Sequence, residues 1–224
     1  LIVMTKLLII ILTILFFLIL YLSYLLYMRY KHDTISKDFI NTPDEITDTT
    51  PENINKIINE KGNILITLKH NDISYKLELE LFDKSLPVTC NNFRHIAFKG
   101  LRKKTYKNTK IYKIFPKSYI EGGDILENNG SGEISLYGKL FNDEAFIFNH
   151  DSPGLLSMVS SGVDTNNSKF IITTKCCPEL DGKQVVFGRV ISGMYHLFNL
   201  ENINIDENNI PINDLLITDI TLVN

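Results

Sequence analysis

The side chains of this chain that could make or break bonds are five histidines, three cysteines and the serines, and their spacing supports none of the common arrangements. No serine sits in a Gly-x-Ser-x-Gly turn, and His150 has no partner at the spacing of a hydrolase triad. The histidines form no cluster suited to a metal. Cys90, Cys176 and Cys177 are odd in number and contain no Cys-x-x-Cys pair, which argues against a disulfide framework or a zinc site. Cys90 reads as a small buried hydrophobe on a helix, and Cys176 and Cys177 as ordinary loop or strand-end thiols. Gly130-Ser131-Gly132 lacks the Lys-Ser/Thr of a phosphate loop and reads as a turn. No cofactor and no metal is indicated.

Charge is equally restrained. The net charge of -3 gives no general pull toward nucleic acid. Within it lies a basic run between Lys99 and Lys117, with Arg102, Lys103, Lys104, Lys107, Lys110 and Lys113. A solvated loop and strand edge account for this run, with contact to acidic partners or anionic headgroups as the alternative. Asn129-Gly130-Ser131 and Asn166-Asn167-Ser168 are glycosylation acceptors only if the domain lies in a secretory lumen.

The elements that must position any site begin after a long apolar lead. From Leu7 to Met28 the chain is almost wholly apolar, and as a helix this run would be roughly 33 Å long, enough to span a bilayer. No small-residue cleavage site follows, so the run reads as an uncleaved single-pass anchor over residues 1–30. Tyr21, Tyr24 and Tyr27 next to Arg29 and Lys31 suit a lipid interface. Lys6 on the other side leaves the orientation, lumenal or cytosolic, undecided. The chain opens at Leu1, with Met4 a candidate start. Residues 31–61 are polar, rich in Asn, Asp and Thr, and read as a tether.

A folded domain is expected over residues 62–224. Ile64, Ile66 and Leu68, then Tyr75, Leu77, Leu79 and Leu81, alternate with mostly polar neighbours around a turn at Asn71-Asp72, which predicts two antiparallel strands. Pro87 suits the first turn of a helix whose buried face carries Phe93, Ile96 and Ala97 and which Gly100 can end. Met194 to Leu200 reads as a second short helix, and the alternating Leu216, Thr218, Ile220 and Leu222 as a closing strand. Many short strands and two helices suggest a mainly β domain built as an antiparallel barrel.

Six stretches sharpen that expectation: Gly122-Gly123-Asp124, Asn129 to Gly132, Ser135 to Gly138, Phe141 to Glu144, Ser152 to Thr174, and Leu180 to Gly188. In order and spacing the set resembles the cyclophilins, the cyclosporin-binding class of peptidyl-prolyl cis-trans isomerases, and Asn92-Phe93-Arg94 resembles their first helix. The resemblance covers about Gly62 to Val223. It implies a closed eight-stranded antiparallel β-barrel capped by two α-helices, preceded here by the transmembrane helix. It also implies an isomerase that assists protein folding and takes proline-containing peptides or client proteins as partners.

The working residues of the family map onto a different set of side chains. Its catalytic arginine, in a Phe-His-Arg stretch, falls on Lys113 of Ile111-Tyr112-Lys113, which keeps the charge but loses the planar fork. Its aromatic wall falls on Ser118, and its Met and Gln on Tyr119 and Glu121. Its Ala-Asn falls on Val159 and Ser160, and its Gln-Phe-Phe on Lys169, Phe170 and Ile171. Its Trp falls on Glu179, its Leu is kept as Leu180, and its His falls on Gln184. The substrate-binding set implied is therefore Tyr119, Glu121, Val159, Ser160, Lys169, Ile171, Glu179, Leu180 and Gln184, around Lys113. Glu121 is a candidate partner for Lys113. With scaffold residues matched and groove residues changed, reduced isomerase activity is expected, with a proline-peptide or protein-binding module without catalysis as the alternative. The chain has no tryptophan, so only weak cyclosporin binding is expected.

Overall fold

The computed structural model describes residues 21–23 and 62–223. The apolar run Leu7–Met28 and the polar segment 31–61 lie outside the described residues, apart from a helical Tyr21, Leu22 and Ser23. Among the described residues no helix is long and apolar enough to cross a membrane. The chain separates into the units Leu1–Asp48 and Thr49–Asn224, and the second contains every strand of the sheet.

Two strands open that unit, β1 (Asn63–His70) and β2 (Ile73–Leu81), joined by Asn71-Asp72 with Asn71 in the left-handed region at φ 52°. Asn tolerates that conformation because its short polar side chain can bond locally. The pairing sets Ile64 against Leu79, Ile66 against Leu77 and Leu68 against Tyr75, all buried, so the period-two pattern becomes one continuous inner face.

On the other side of β1 lies β8 (Leu215–Val223), and here the simple alternation expected from sequence is broken. A bulge between Thr67 and Leu68 shifts the register. Ile220 and Leu222 face Ile66 and Ile64 before it; Ile217 and Leu215 face Leu68 and His70 after it. The extra residue lets four apolar side chains of opposite parity share one face.

Helix α1 (Pro87–Phe98) has proline in its first turn and no cap from Leu86. Its exposed N-terminal donors are met from a distance: the Glu144 carboxylate accepts the N–H groups of Val88 and Thr89 at 2.9 and 2.8 Å and the Thr89 hydroxyl at 2.8 Å. A negative charge at this end also suits the helix dipole. At the other end Lys99 and Gly100 both donate to the His95 carbonyl, with Gly100 at φ 78°. Helix α1 packs on β7 (Val186–Ser192) and β8, and the short α2 (Met194–Leu200) packs on β2.

The remaining strands are β3 (Ile111–Phe115), β4 (Tyr119–Gly122), β5 (Leu155–Met158) and β6 (Phe170–Thr173). The sheet runs β3-β4-β6-β5-β7-β2-β1-β8, antiparallel throughout. Phe93, Tyr106, Phe170 and Phe187 form an aromatic centre with ring centroids 5.0–5.4 Å apart. Such tilted and edge-on contacts suit the ring quadrupoles.

The structure shows the eight antiparallel strands of the expected barrel but no continuous ladder between its end strands among the described residues. An isolated bridge joins Lys110 to Leu216. Beside it, Asn108 N–H donates to Ile217 O and Ile217 N–H to Thr109 O. The Ile114 N–H on β3 is met by the carbonyl of Asn209 in a loop, so a strand partner is not needed there.

Candidate active-site groove

Alternation along β6 decides which residues can form a site. Phe170 and Ile172 point into the core, so Ile171 and Thr173 belong to the opposite face, where Ile171 is the register partner of both Glu121 and Ser157. Glu121 is in turn opposite Lys113 on β3. Lys113, Glu121, Ile171 and Ser157 therefore lie in one row across four strands. Phe115, Tyr119 and Thr173 make the next row, with the Phe115 and Tyr119 rings 4.8 Å apart.

Loops bring up the rest of the expected set. The Val159 N–H donates to Lys169 O, which holds the chain leaving β5 beside the entry to β6. Ser160 Oγ donates to Lys183 O at 2.9 Å, and the Gln184 N–H donates to Leu180 O, so these residues continue the rim. Glu179 and Leu180 sit on the 3-10 turn Pro178–Leu180, which starts after the buried Cys177. The Cys177 thiol lies 3.5 Å from Ser118 Oγ beside β4, and burial raises its pKa. Of the ten expected positions, the strand register joins Lys113, Glu121 and Ile171 in one row and Tyr119 in the next, while the bonds above join Val159 to Lys169, Ser160 to Lys183, and Gln184 to the turn that carries Glu179 and Leu180. Two of them are largely buried, Ile171 at 1 % exposed and Lys169 at 6 %.

Charge pairing differs from the sequence expectation. Glu121 accepts a hydrogen bond from Tyr112 Oη at 2.7 Å, and no ion pair to Lys113 exists among the described residues. The cause is an irregular register between Ile111 and Lys113, where two residues of β3 meet one step of β4. At such a bulge neighbouring side chains reach the same side, and Tyr112 takes the carboxylate. Burial, followed by the charge and hydrogen bond of Glu121, drives the Tyr112 phenol far above its ordinary pKa. The Lys113 ammonium instead stands 6.0 Å from the Phe115 ring centroid.

Beneath the groove is a constellation that sequence spacing hid. His150 Nε2 lies 2.9 Å from Ser157 Oγ, and His150 Nδ1 lies 2.9 Å from Asp181 Oδ1, which also accepts the His150 N–H at 2.7 Å. That last bond and the ring contact hold the Asp181 carboxyl below its ordinary pKa. His150 therefore does have partners, 7 and 31 residues away. Both His150 and Ser157 are wholly buried, so no substrate can reach the hydroxyl. The group acts as a clamp that ties the Leu180 turn to β5. A serine inside the apolar run Leu155 to Met158 was the available clue, since a buried hydroxyl needs a partner.

One more residue shapes the groove's end. Asp124 accepts N–H bonds from Leu126, Glu127, Asn129, Gly130 and Gly132 at 2.8–3.3 Å. Its burial would raise the pKa, but the backbone donors outweigh that and hold the carboxyl below its ordinary value. The loop is thereby wound so tightly that a Cβ on Gly130 would meet Tyr112 Cε2 at 2.7 Å. Among the described residues no group of His, Cys, Asp and Glu could hold a metal ion.

Comparison with known proteins gives this antiparallel domain a family. The profile of the family "Cyclophilin type peptidyl-prolyl cis-trans isomerase/CLD" matches residues 65–222. The chain belongs to the cyclophilin-type peptidyl-prolyl isomerase family. It is 40 % identical over 137 residues to the rhodopsin-specific isozyme of peptidyl-prolyl cis-trans isomerase from Calliphora vicina, covering 61 % of this chain and 58 % of that one. It is 38 % identical over 144 residues to peptidyl-prolyl cis-trans isomerase D of Saccharomyces cerevisiae, covering 64 % of each. The matches thus span less than two thirds of either relative. A crystal structure of a cyclophilin-type isomerase from Cryptosporidium parvum superposes with a TM-score of 0.66 at 35 % identity, covering 73 % of this chain and 98 % of that one.

Proposed function

We propose that the chain is a peptidyl-prolyl cis-trans isomerase that assists protein folding at a membrane and turns over slowly for its family. Rotation about a prolyl bond meets a barrier of about 18–20 kcal/mol, because resonance gives the C–N bond double-bond character. In the twisted state the prolyl nitrogen regains its lone pair, and a donor aimed at it lowers the barrier by binding that state better than the planar ones. Lys113 is the donor. The observation that carries this reading is the row Lys113, Glu121 and Ile171, in which Tyr112 engages the carboxylate and the lysine has no ion pair among the described residues.

The same row supports a slow rate. An ammonium is a point donor where the family's arginine offers a planar fork. Ser118 and Glu179 stand in place of aromatic walls, and the apolar Ile171 is buried. For the same reasons cyclosporin binds weakly. The apolar run Leu7–Met28 supports a single-pass anchor within residues 1–30, with 31–61 as tether and 62–224 as the working domain. The burial of Ile171 also favours a second reading, a proline-peptide or protein-binding module without turnover.

The isomerisation rate of a proline peptide, measured with the full chain in detergent and with Lys113→Ala, separates the two readings. A rate above buffer that drops in the variant supports catalysis. Rates equal to buffer in both, with peptide binding intact, leave the binding module. Protease protection on intact membranes tests the anchor, and cleavage of the domain off unsealed and sealed vesicles alike with no membrane-bound remnant would remove it.

A further inference from the structure

Lys169 is a cation placed where a neutral residue would have been cheaper to bury. It is 6 % exposed, yet among the described residues its ammonium donates to a single neutral acceptor, Gly130 O, at 2.6 Å. An ammonium carries three donors, and burying its charge is costly unless it is paired. The carboxylate nearby, Glu133, is already held 2.7 Å from Lys139. Lys139 is the main reason its pKa lies low, with Lys169 adding a smaller pull. No carboxylate lies within ion-pair distance of Lys169 among the described residues.

The position of this cation is what gives it meaning. Lys169 directly precedes β6 and lies on the same face as Ile171, two residues on. Its tip reaches the half-buried Gly130, which rests against the Tyr112 ring, whose hydroxyl holds Glu121 beside Lys113. The under-coordinated ammonium therefore borders the groove at the end where Lys113 stands. We infer that Lys169 selects substrates with an acidic side chain, Asp or Glu, close to the proline, the carboxylate supplying the partner that the protein itself withholds. This rests on the proposed prolyl-peptide reading of the groove and names the substrate class for it.

The test uses the full chain in detergent and peptides carrying Glu, Ala or Lys at each position within two residues of a central proline, read both as binding and as isomerisation rate. At one position Glu is expected to exceed Lys by about tenfold, the scale of one charge-assisted hydrogen bond. Lys169→Gln keeps a donor for Gly130 and removes the charge, so it should erase the preference, and Lys169→Arg should retain it. Lys113→Gln, the control for the other cation, should leave the preference in binding in place whatever it does to the rate. High salt should shrink the preference in the unaltered chain, a check that needs no variant to fold. Equal affinity for the three peptides, a binding preference that survives Lys169→Gln or vanishes in Lys113→Gln, or no binding of any peptide overturns the inference. Graded binding without turnover upholds it while removing the isomerase reading.

Discussion

The two sides of β6 are built on different principles although all four of its residues are buried. On the inner side Phe170 and Ile172 meet apolar neighbours, and Phe170 lies 5.3 Å from both Phe93 and Tyr106. On the outer side Thr173 Oγ1 donates to Ser152 O and accepts the Leu155 N–H, while Ile171 stands in one row with Ser157, Glu121 and Lys113. The inner side is held by volume and dispersion, which tolerate few changes in shape. The outer side is held by directed hydrogen bonds, whose side chains can change while the backbone stays. That difference lets side chains on the outer side vary while the scaffold is kept.

The contrast breaks most visibly at the core. Phe170→Ala should cost about 3–5 kcal/mol in a denaturant melt, by lost transfer energy plus the cavity left at the aromatic centre. A loss under about 1 kcal/mol would mean the inner side is not held by packing. Next, Asp124→Ala leaves five backbone donors without their acceptor and should cost about 2–4 kcal/mol. A smaller loss accompanied by unchanged peptide binding would show that the loop closes without it.

The clamp under the groove should fall between the two regions. His150→Ala strands the buried Ser157 hydroxyl and leaves Asp181 only its bond from the residue-150 N–H, at an expected cost of about 1–3 kcal/mol. It should also weaken peptide binding, because the Leu180 turn loses its tie. Lys113→Ala should do the reverse of Phe170→Ala: stability within about 0.5 kcal/mol of the unaltered chain, and an isomerisation rate down by an order of magnitude or more. Equal damage to both quantities in either variant would dissolve the contrast.

A pH-dependent effect comes from α1. Burial first, then the charge of Lys99, lowers the His95 pKa from 6.5 to about 4. An unfolded chain takes up a proton near pH 6.5 that the folded chain refuses until about pH 4, so stability should fall as the pH drops through that window and level off below it. His95→Gln should flatten the slope in pH-dependent melts, and an unchanged slope would place the acid sensitivity elsewhere.

Much of this was legible in the sequence for local reasons. Period-two alternation marked β1 and β2, Pro87 and Gly100 bracketed α1, and Met194 to Leu200 proved to be α2 to the residue. These signals depend on neighbours a few positions away. The bulges were not legible. One turned the closing strand so that Leu215 and Ile217, rather than Leu216 and Thr218, face the core. The other gave Glu121 to Tyr112 instead of Lys113. The clamp of His150, Ser157 and Asp181 was missed for a related reason, since its members meet only when β5 and the Leu180 turn are packed together.

The chain alone determined which residues are apolar, where turns interrupt them, and that six stretches resemble a prolyl isomerase scaffold. Packing alone decided which carboxylate each cation keeps, that Ile171 lies covered, and that Lys169 is buried beside one carbonyl. Apolar burial needs only a pattern, which a sequence displays. A hydrogen bond needs two atoms within about 3 Å in the right direction, and only a folded backbone sets that distance.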